Sequence, residues 1–186
     1  MGRRALDERC YPWEAREPKE AATARARSRG RPTANRYDYL AGAGNRFVPL
    51  CNFGGCPSVA RSARGNEIEI AGAGTFTVRP AAVAGGGEYT WRNSAGQVVE
   101  AGTWTPSQLL GFQSFGLGLL INRRQLEGGV ARMQIDLSSG RRAVLRITCD
   151  EGNEPPAARE GINVAIAGGP NFNTEVSGLT AFIIRP

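Results

Sequence analysis

The residues of this chain that could do chemistry are carboxylates, cysteines, arginines and aromatic side chains, because the sequence contains no histidine. Without an imidazole, Ser-His-Asp and Cys-His catalysis are excluded, and so is every metal site that needs a histidine ligand. Two carboxylates could still act as general acid and base, and the candidates are Glu88, Glu100, Asp136 and Glu175. No spacing brings two of them together, so we assign no catalytic residue and favour a protein that is not an enzyme.

Three aromatic residues, Tyr89, Trp91 and Trp104, lie close together on two predicted strands. Aromatic side chains line ligand cavities at the mouths of small β-barrels, so these three are our candidate ligand-binding residues. The alternative is that all three pack in the hydrophobic core, as most large aromatic side chains do. The sequence leaves both possibilities open.

A set of oxygen-bearing side chains, Asn171, Asn173 and Glu175, is a weak candidate for a calcium site. The alternative is turn chemistry, in which asparagine side chains cap the local backbone. The pair Cys51 and Cys56 lacks the second close pair that a zinc site usually has. We therefore assign no metal and no cofactor.

These candidates must be positioned by strands, and the stretch from Glu88 to Trp104 predicts the first hairpin. Tyr89 and Trp91 alternate with polar residues, which is the period of a half-buried strand. The second arm, 98–104, is rich in β-branched and aromatic residues. Between the arms, residues 93–96 are typical of a turn in which Gly96 takes a positive φ as the bulge residue.

The stretch from Val130 to Cys149 predicts a second hairpin, because apolar and polar residues alternate strictly on both arms. A slip of one residue would exchange the apolar and polar faces, so the pattern specifies the pairing. Gly140 suits the bulge position of a type I turn that begins at Leu137. The resulting register places Asp136 opposite Arg142, Met133 opposite Leu145 and Arg132 opposite Arg146.

Further strands are predicted over 67–70, 75–78, 109–115, 162–166 and 175–184. We interpret 72–74 as a break, 81–87 as a connector, 105–107 as the end of the first hairpin, and 116–129 as a short helix or a loop. Turn signals every 8–12 residues favour an all-β, antiparallel, hairpin-rich barrel of eight to nine strands, with a two-sheet β-sandwich as the alternative. A parallel sheet is excluded, because no stretch of 66–115 or 129–186 is long enough for a crossover helix.

The net charge differs between the N-terminal third and the rest of the chain. Residues 1–65 hold 13 basic against 6 acidic residues, a net charge of +7, whereas 66–186 hold 10 against 11, a net charge of −1. We expect 1–60 to be a basic, poorly ordered segment, for which a mis-assigned start codon is one explanation, and 61–186 to be a single antiparallel β domain. Residues 21–36 could bind nucleic acid through phosphate contacts. Lys19 is the only lysine, so almost all the basic residues are arginines, whose codons are mostly rich in G and C. A GC-rich genome therefore explains the positive charge, and nucleic-acid binding is not favoured.

Two motifs carry a resemblance. They are Gly102-Thr103-Trp104-Thr105 followed by the stretch Leu109 to Gly116, and the stretch Asn171 to Gly178 before a final apolar strand. Residues 66–186 resemble a group of uncharacterised prokaryotic all-β proteins that are usually exported. The resemblance implies an extracellular or cell-surface location and says nothing about an activity.

Residues 1–30 lack the apolar core of a signal peptide, so a cytoplasmic location stays open as an alternative. No run approaches the roughly 18 apolar residues of a membrane helix, so no membrane span is expected. For an exported protein we expect Cys149 to form a disulfide with Cys51 or Cys56.

Three functional hypotheses remain. The first is a non-enzymatic small β-barrel that binds a small ligand or a component of the cell exterior. The second is a cyclase- or isomerase-like enzyme that uses the barrel cavity, and the third is nucleic-acid binding through the basic segment. The sequence does not indicate the ligand or the oligomeric state.

Overall fold

The computed structural model describes residues 34–186, which form one antiparallel sheet of ten strands. The predicted all-β antiparallel class is confirmed, with ten strands where eight or nine were expected and one sheet rather than the two of a sandwich. Residues 1–33, including Cys10 and most of the predicted N-terminal segment, lie outside the described residues. The strands are β1 (Arg36–Ala41), β2 (Ser58–Ser62), β3 (Glu67–Thr77), β4 (Ala82–Arg92), β5 (Val98–Ile121), β6 (Arg124–Leu137), β7 (Arg142–Cys149), β8 (Gly161–Ile166), β9 (Asn171–Ser177) and β10 (Thr180–Ile184).

Eight consecutive strands form a ring. Each strand from β2 to β8 pairs with the next, and β9 pairs back with β2. Closure leaves these strands without a free edge. Because neighbours are antiparallel, the turns at 63–66, 93–97, 138–141 and 167–170 all lie at the same end of the ring, which we call the mouth.

The inside of the ring is filled by apolar side chains. Residues that face inward on the strands belong to one cluster of buried residues, and six of its large members are Ile68, Ile70, Met133, Ile135, Leu145 and Phe172, each 0% exposed. The alternation of the sequence produces this arrangement, because every second side chain of a strand points to the same face.

Strand β1 corrects the predicted domain boundary. It pairs with both β3 and β10, and Tyr37 and Tyr39 are fully buried. Residues 36–60 therefore contribute a strand, a 3-10 helix (Leu50–Phe53) and most of β2 to the same sheet, so a domain that begins at residue 61 is wrong. The signal was present, because Arg36 and Asp38 alternate with the two tyrosines, but the surrounding arginines and glycines obscured it.

Glycine-rich stretches that were interpreted as breaks are strands. Strand β3 continues through 72–74, and β4 begins at Ala82, inside the predicted connector. A β-carbon on Gly72 would overlap the Trp104 indole, and one on Gly74 would lie 2.6 Å from the hydroxyl oxygen of Tyr39. Glycine is therefore required here because the neighbouring strand's backbone and two large side chains lie directly against these positions.

Strand β5 is also longer than expected. It runs through Pro106, where the predicted hairpin end is wrong, because Pro106 pairs with Ile135 and a β-bulge follows it before Gln108. Residues 116–129 form neither a helix nor a loop but the end of the β5–β6 hairpin. Its turn places Asn122 and Arg123 at φ of 48° and 63°, as a type I′ turn requires.

The register of the β6–β7 hairpin is confirmed. Asp136 pairs with Arg142, and Met133 pairs with Leu145, both of them buried. Gly140 has a φ of 86°. The like-charge pair of Arg132 with Arg146 is relieved, because Arg132 is exposed and Arg146 Nη1 donates to Asn163 Oδ1 at 3.1 Å.

The turn of the first hairpin is confirmed as well. The side-chain oxygen of Asn93 accepts hydrogen bonds from the backbone N–H groups of Ala95 and Gln97, both at 3.0 Å. Gly96 has the expected positive φ of 79°. The turn therefore holds the ends of β4 and β5 at the mouth.

Residues 42–57 form a cover loop on the outer face of β1 and β10. Val48 and Leu50 pack there in a second cluster with Leu40, Ala181 and other buried residues. The loop contains the disulfide between Cys51 and Cys56, whose Cα atoms lie 4.8 Å apart.

The predicted disulfide of Cys149 is wrong. Cys149 is a free thiol in the core cluster inside the ring, whereas Cys51 and Cys56 lie in the cover loop outside it. Burial raises the pKa of the Cys149 thiol to about 12, so the thiolate that would react is scarce at neutral pH.

Candidate functional site

Three of the four turns at the mouth surround a recess of about 660 Å³. We call it the mouth recess. The β2–β3 turn, the end of β4, the β6–β7 turn and the β8–β9 turn contribute its walls. Its lining is Ser62, Ala63, Arg64, Asn66, Trp91, Arg141, Gly168, Gly169, Pro170 and Asn171.

Trp91, a predicted ligand-binding residue, is half-buried in the wall of this recess. Its ring packs edge-to-face against Phe172 on β9, with the ring centroids 6.0 Å apart. This contact fixes the orientation of the indole, because such aromatic pairs have a preferred geometry. The mouth recess therefore has a rigid aromatic wall.

Arg141 lies beside this wall in a hydrogen-bonded group with Glu100. The Arg141 Nε atom is 3.3 Å from Glu100 Oε2, and the Tyr89 hydroxyl donates to Glu100 Oε1 at 2.5 Å. Burial alone would raise the pKa of Glu100, but hydrogen bonds from Ser139 and Tyr89 and the charge of Arg141 outweigh it and hold the pKa below its ordinary value. Glu100 is therefore a carboxylate at neutral pH and positions Arg141 rather than donating a proton.

The three predicted aromatic residues do not line one cavity. Trp104 is 1% exposed and packs with Tyr39 in the core, at a centroid distance of 6.4 Å. Tyr89 is 2% exposed, and it also borders a separate recess of about 430 Å³ near the disulfide. Tyr89 and Trp104 therefore pack in the core, which was the alternative interpretation, and of the three aromatic residues only Trp91 lines the mouth recess.

The predicted calcium residues all lie on β9. Asn171 and Asn173 are exposed and Glu175 is half-buried, and only Asn171 lines the mouth recess. Within residues 34–186, no three His, Cys, Asp or Glu side chains are grouped so that they could hold a metal ion. The calcium site stays a prediction with Glu175 as its one carboxylate.

Two features were missed by the sequence reasoning. One is a second recess, of about 340 Å³, where arginines from β1, the cover loop, β6 and the residue after β10 meet. The other is Glu160, whose pKa is raised to about 8 by burial and by the neighbouring Asp150, and whose Oε1 accepts a hydrogen bond from the backbone N–H of Thr180 at 2.7 Å. The arginines of the second recess are far apart in the chain and meet only when the sheet closes, so no local pattern identifies them. Asp150 and Glu160 bound the loop between β7 and β8, and the sequence does not show that this loop buries Glu160.

In the part of the chain that the structure describes, no helix is long and apolar enough to cross a membrane. Comparison of the chain with models of protein families, with curated proteins and with solved structures gives no match.

Proposed function

We propose that the protein is a non-enzymatic binding protein whose mouth recess takes a small, ring-shaped ligand that carries a carboxylate, such as an acidic sugar. One observation carries the proposal. An indole ring held in place, two arginines and two asparagine amides border the same open recess of about 660 Å³.

The chemistry of the lining selects this ligand class. The flat face of Trp91 offers apolar area on which the C–H face of a sugar ring can pack. The amides of Asn66 and Asn171 offer donors and acceptors for hydroxyl groups. Arg141 is held to Glu100 through Nε, which leaves its terminal nitrogens to bind a ligand carboxylate, and Arg64 adds a second positive charge.

The disulfide supports a location at the cell exterior. A bond between Cys51 and Cys56 persists in an oxidising compartment and is rare in the cytosol. Acidic sugars occur in the polymers of cell surfaces, so the proposed ligand and the proposed location agree.

The other two hypotheses receive less support. A cyclase- or isomerase-like enzyme would need an acid or base in a cavity, but hydrogen bonds and the charge of Arg141 lower the pKa of Glu100, which makes it a weak base with both oxygens occupied, and large side chains fill the ring. Nucleic-acid binding through 21–36 falls almost entirely outside the described residues. We therefore propose neither.

The proposal is tested by isothermal titration with glucuronate as the probe and glucose as the neutral comparison. Arg141→Gln should weaken glucuronate binding about tenfold, because one charge-assisted hydrogen bond is lost. Trp91→Ala should weaken it at least as much through lost contact area. Arg142→Gln, an exposed change of the same charge on the next residue, is the control and should bind as the parent does.

Two results would count against the proposal. One is equal binding of glucose and glucuronate, which would remove the role of the carboxylate. The other is unchanged glucuronate affinity in both Arg141→Gln and Trp91→Ala. Melting temperatures of all variants show whether the fold is intact.

A further inference from the structure

We propose that a second site, formed by four arginines at the opposite end of the sheet from the mouth, binds a phosphate group that carries two or more negative charges. This arginine recess has a volume of about 340 Å³ and shares no residue with the mouth recess. Its charged and aromatic members are Arg36, Asp38, Arg46, Phe47, Arg124 and Arg185.

Different elements bring the arginines together. On β1, Arg36 and Asp38 point outward because Tyr37 and its alternating partner point into the core. The backbone N–H of Arg185 donates to the carbonyl of Arg36 at 3.0 Å, which fixes the two residues side by side. Arg124 begins β6, directly after the hairpin turn.

Phe47 organises the rest of the recess. The guanidinium carbons of Arg46 and Arg124 lie 4.5 and 4.3 Å from the centre of its ring. The carbonyl oxygen of Phe47 accepts a hydrogen bond from Asn122 Nδ2 at 2.8 Å, so the cover loop is attached to the β5–β6 hairpin. A guanidinium that stacks by its face keeps its in-plane N–H donors for another partner.

The charges of the recess are not balanced by its own side chains. Four arginines face one side-chain carboxylate, that of Asp38, and the last residue, Pro186, whose carboxylate adds a second negative charge. Among residues 34–186 only Arg185 lies within ion-pair distance of Asp38, with Nε 3.3 Å from Asp38 Oδ1. Arg36, Arg46 and Arg124 form no ion pair in this part of the chain. Like charges in one recess repel, and a bound anion relieves that repulsion.

The number and directions of the arginines select phosphate over carboxylate. A carboxylate has two oxygens in one plane, and a single guanidinium can satisfy both. A phosphate monoester or pyrophosphate presents several oxygens in different directions, which matches donors that arrive from β1, the cover loop, β6 and the chain after β10. The ligand class is therefore a phosphate dianion or a larger phosphate anion.

Such a phosphate could be free in solution or could belong to a lipid headgroup. The same β5–β6 hairpin exposes Leu119 and Leu120, which are 59% and 66% accessible, next to the turn that leads into Arg124. Exposed leucines beside arginines are the composition of surfaces that insert shallowly into anionic membranes. The two sources are separated by experiment.

The test uses the full chain with pyrophosphate as the soluble probe and vesicles of phosphatidic acid or phosphatidylcholine as the lipid probes. At low ionic strength, Arg46→Gln and Arg124→Gln should each weaken pyrophosphate binding about tenfold. Asp38→Asn should tighten it, because the competing carboxylate is removed. Arg132→Gln, an exposed change of the same charge on β6, should have no effect.

The vesicle arm identifies the source. Sedimentation with phosphatidic acid vesicles that is lost in Arg124→Gln, and reduced when Leu119 and Leu120 are changed to serine, indicates a lipid headgroup. Pyrophosphate binding without vesicle binding indicates a free phosphate compound, and both results support the site. The absence of both kinds of binding, or equal binding by the parent, Arg46→Gln and Arg124→Gln, would overturn it.

Discussion

Replacing Tyr39 by phenylalanine should stabilise the protein or leave it unchanged, whereas the same replacement at Tyr37 should destabilise it. The two tyrosines lie two residues apart on β1, both are fully buried, and both rings stack on Phe76. The substitutions remove the same single oxygen atom. Any difference between them therefore measures what each hydroxyl group contacts.

The expected magnitudes follow from those contacts. The Tyr37 hydroxyl oxygen lies 2.9 Å from the carbonyl oxygen of Ala34 and 3.1 Å from Glu127 Oε2, and it accepts the N–H of Ala34 at 3.2 Å. Tyr37→Phe takes a donor from a buried carboxyl group, which should cost about 1–3 kcal/mol. The buried Tyr39 hydroxyl has no hydrogen-bond partner within residues 34–186. Removing an unpartnered hydroxyl should change the free energy of unfolding by between about 0 and +1 kcal/mol.

Urea denaturation of the parent and both variants, followed by far-ultraviolet circular dichroism, measures the difference. The dependence of the unfolding free energy on urea should be the same for all three proteins, because the exposed area hardly changes. Equal losses in both variants, or a loss above about 1 kcal/mol for Tyr39→Phe, would refute the assignment of partners.

Three further predictions concern the scaffold. Replacing Cys51 and Cys56 by serine should lower the unfolding free energy by about 2 kcal/mol in denaturation without reductant, because the disulfide closes a short loop and restricts the unfolded chain. An unchanged unfolding free energy, or an unreduced protein whose mass shows no disulfide, would contradict the bond. The folded-state pKa of Glu160, about 8, exceeds its ordinary value of 4.5, so the contribution of this group to stability is highest at low pH and falls between about pH 4.5 and 8. For one proton the unfolding free energy should fall by at most about 1.4 kcal/mol per pH unit. Glu160→Gln should remove this pH dependence, and an unaltered pH profile of stability would contradict the raised pKa. Met133→Ala should lower the unfolding free energy by about 2–5 kcal/mol because the Met133 side chain is fully buried, whereas Asp136→Ala on the outer face should change it by no more than about 0.5 kcal/mol. Comparable losses of stability for the two variants in thermal denaturation would contradict the register.

The parts of the fold that the sequence predicts are those fixed by local alternation. In the β6–β7 hairpin, an apolar face on each arm and a single suitable glycine leave one register, and the pairing of Met133 with Leu145 agrees with it. Local alternation does not predict a strand correctly where its residues are chosen to fit side chains from distant parts of the chain. Gly72 resembles a break until Trp104, on another strand, is known to lie against it.

The sites were less predictable, because they depend on closure of the sheet. Trp91 could be identified as a candidate ligand-binding aromatic residue on a strand, but its neighbours Arg141 and Asn171 come from other hairpins. The arginine recess joins residues from the beginning, middle and end of the described chain. Composition gave the total charge but not the place where four positive charges converge.

Nuclear magnetic resonance titration with glucuronate tests the proposed function most directly, because it locates binding without assuming which residues take part. Backbone and indole signals of 62–66, Trp91, Arg141 and 167–171 should shift with one saturation curve, while the arginine recess should not respond. Shifts confined to other parts of the chain, or no saturable shift of the Trp91 indole, would contradict the mouth recess as the binding site.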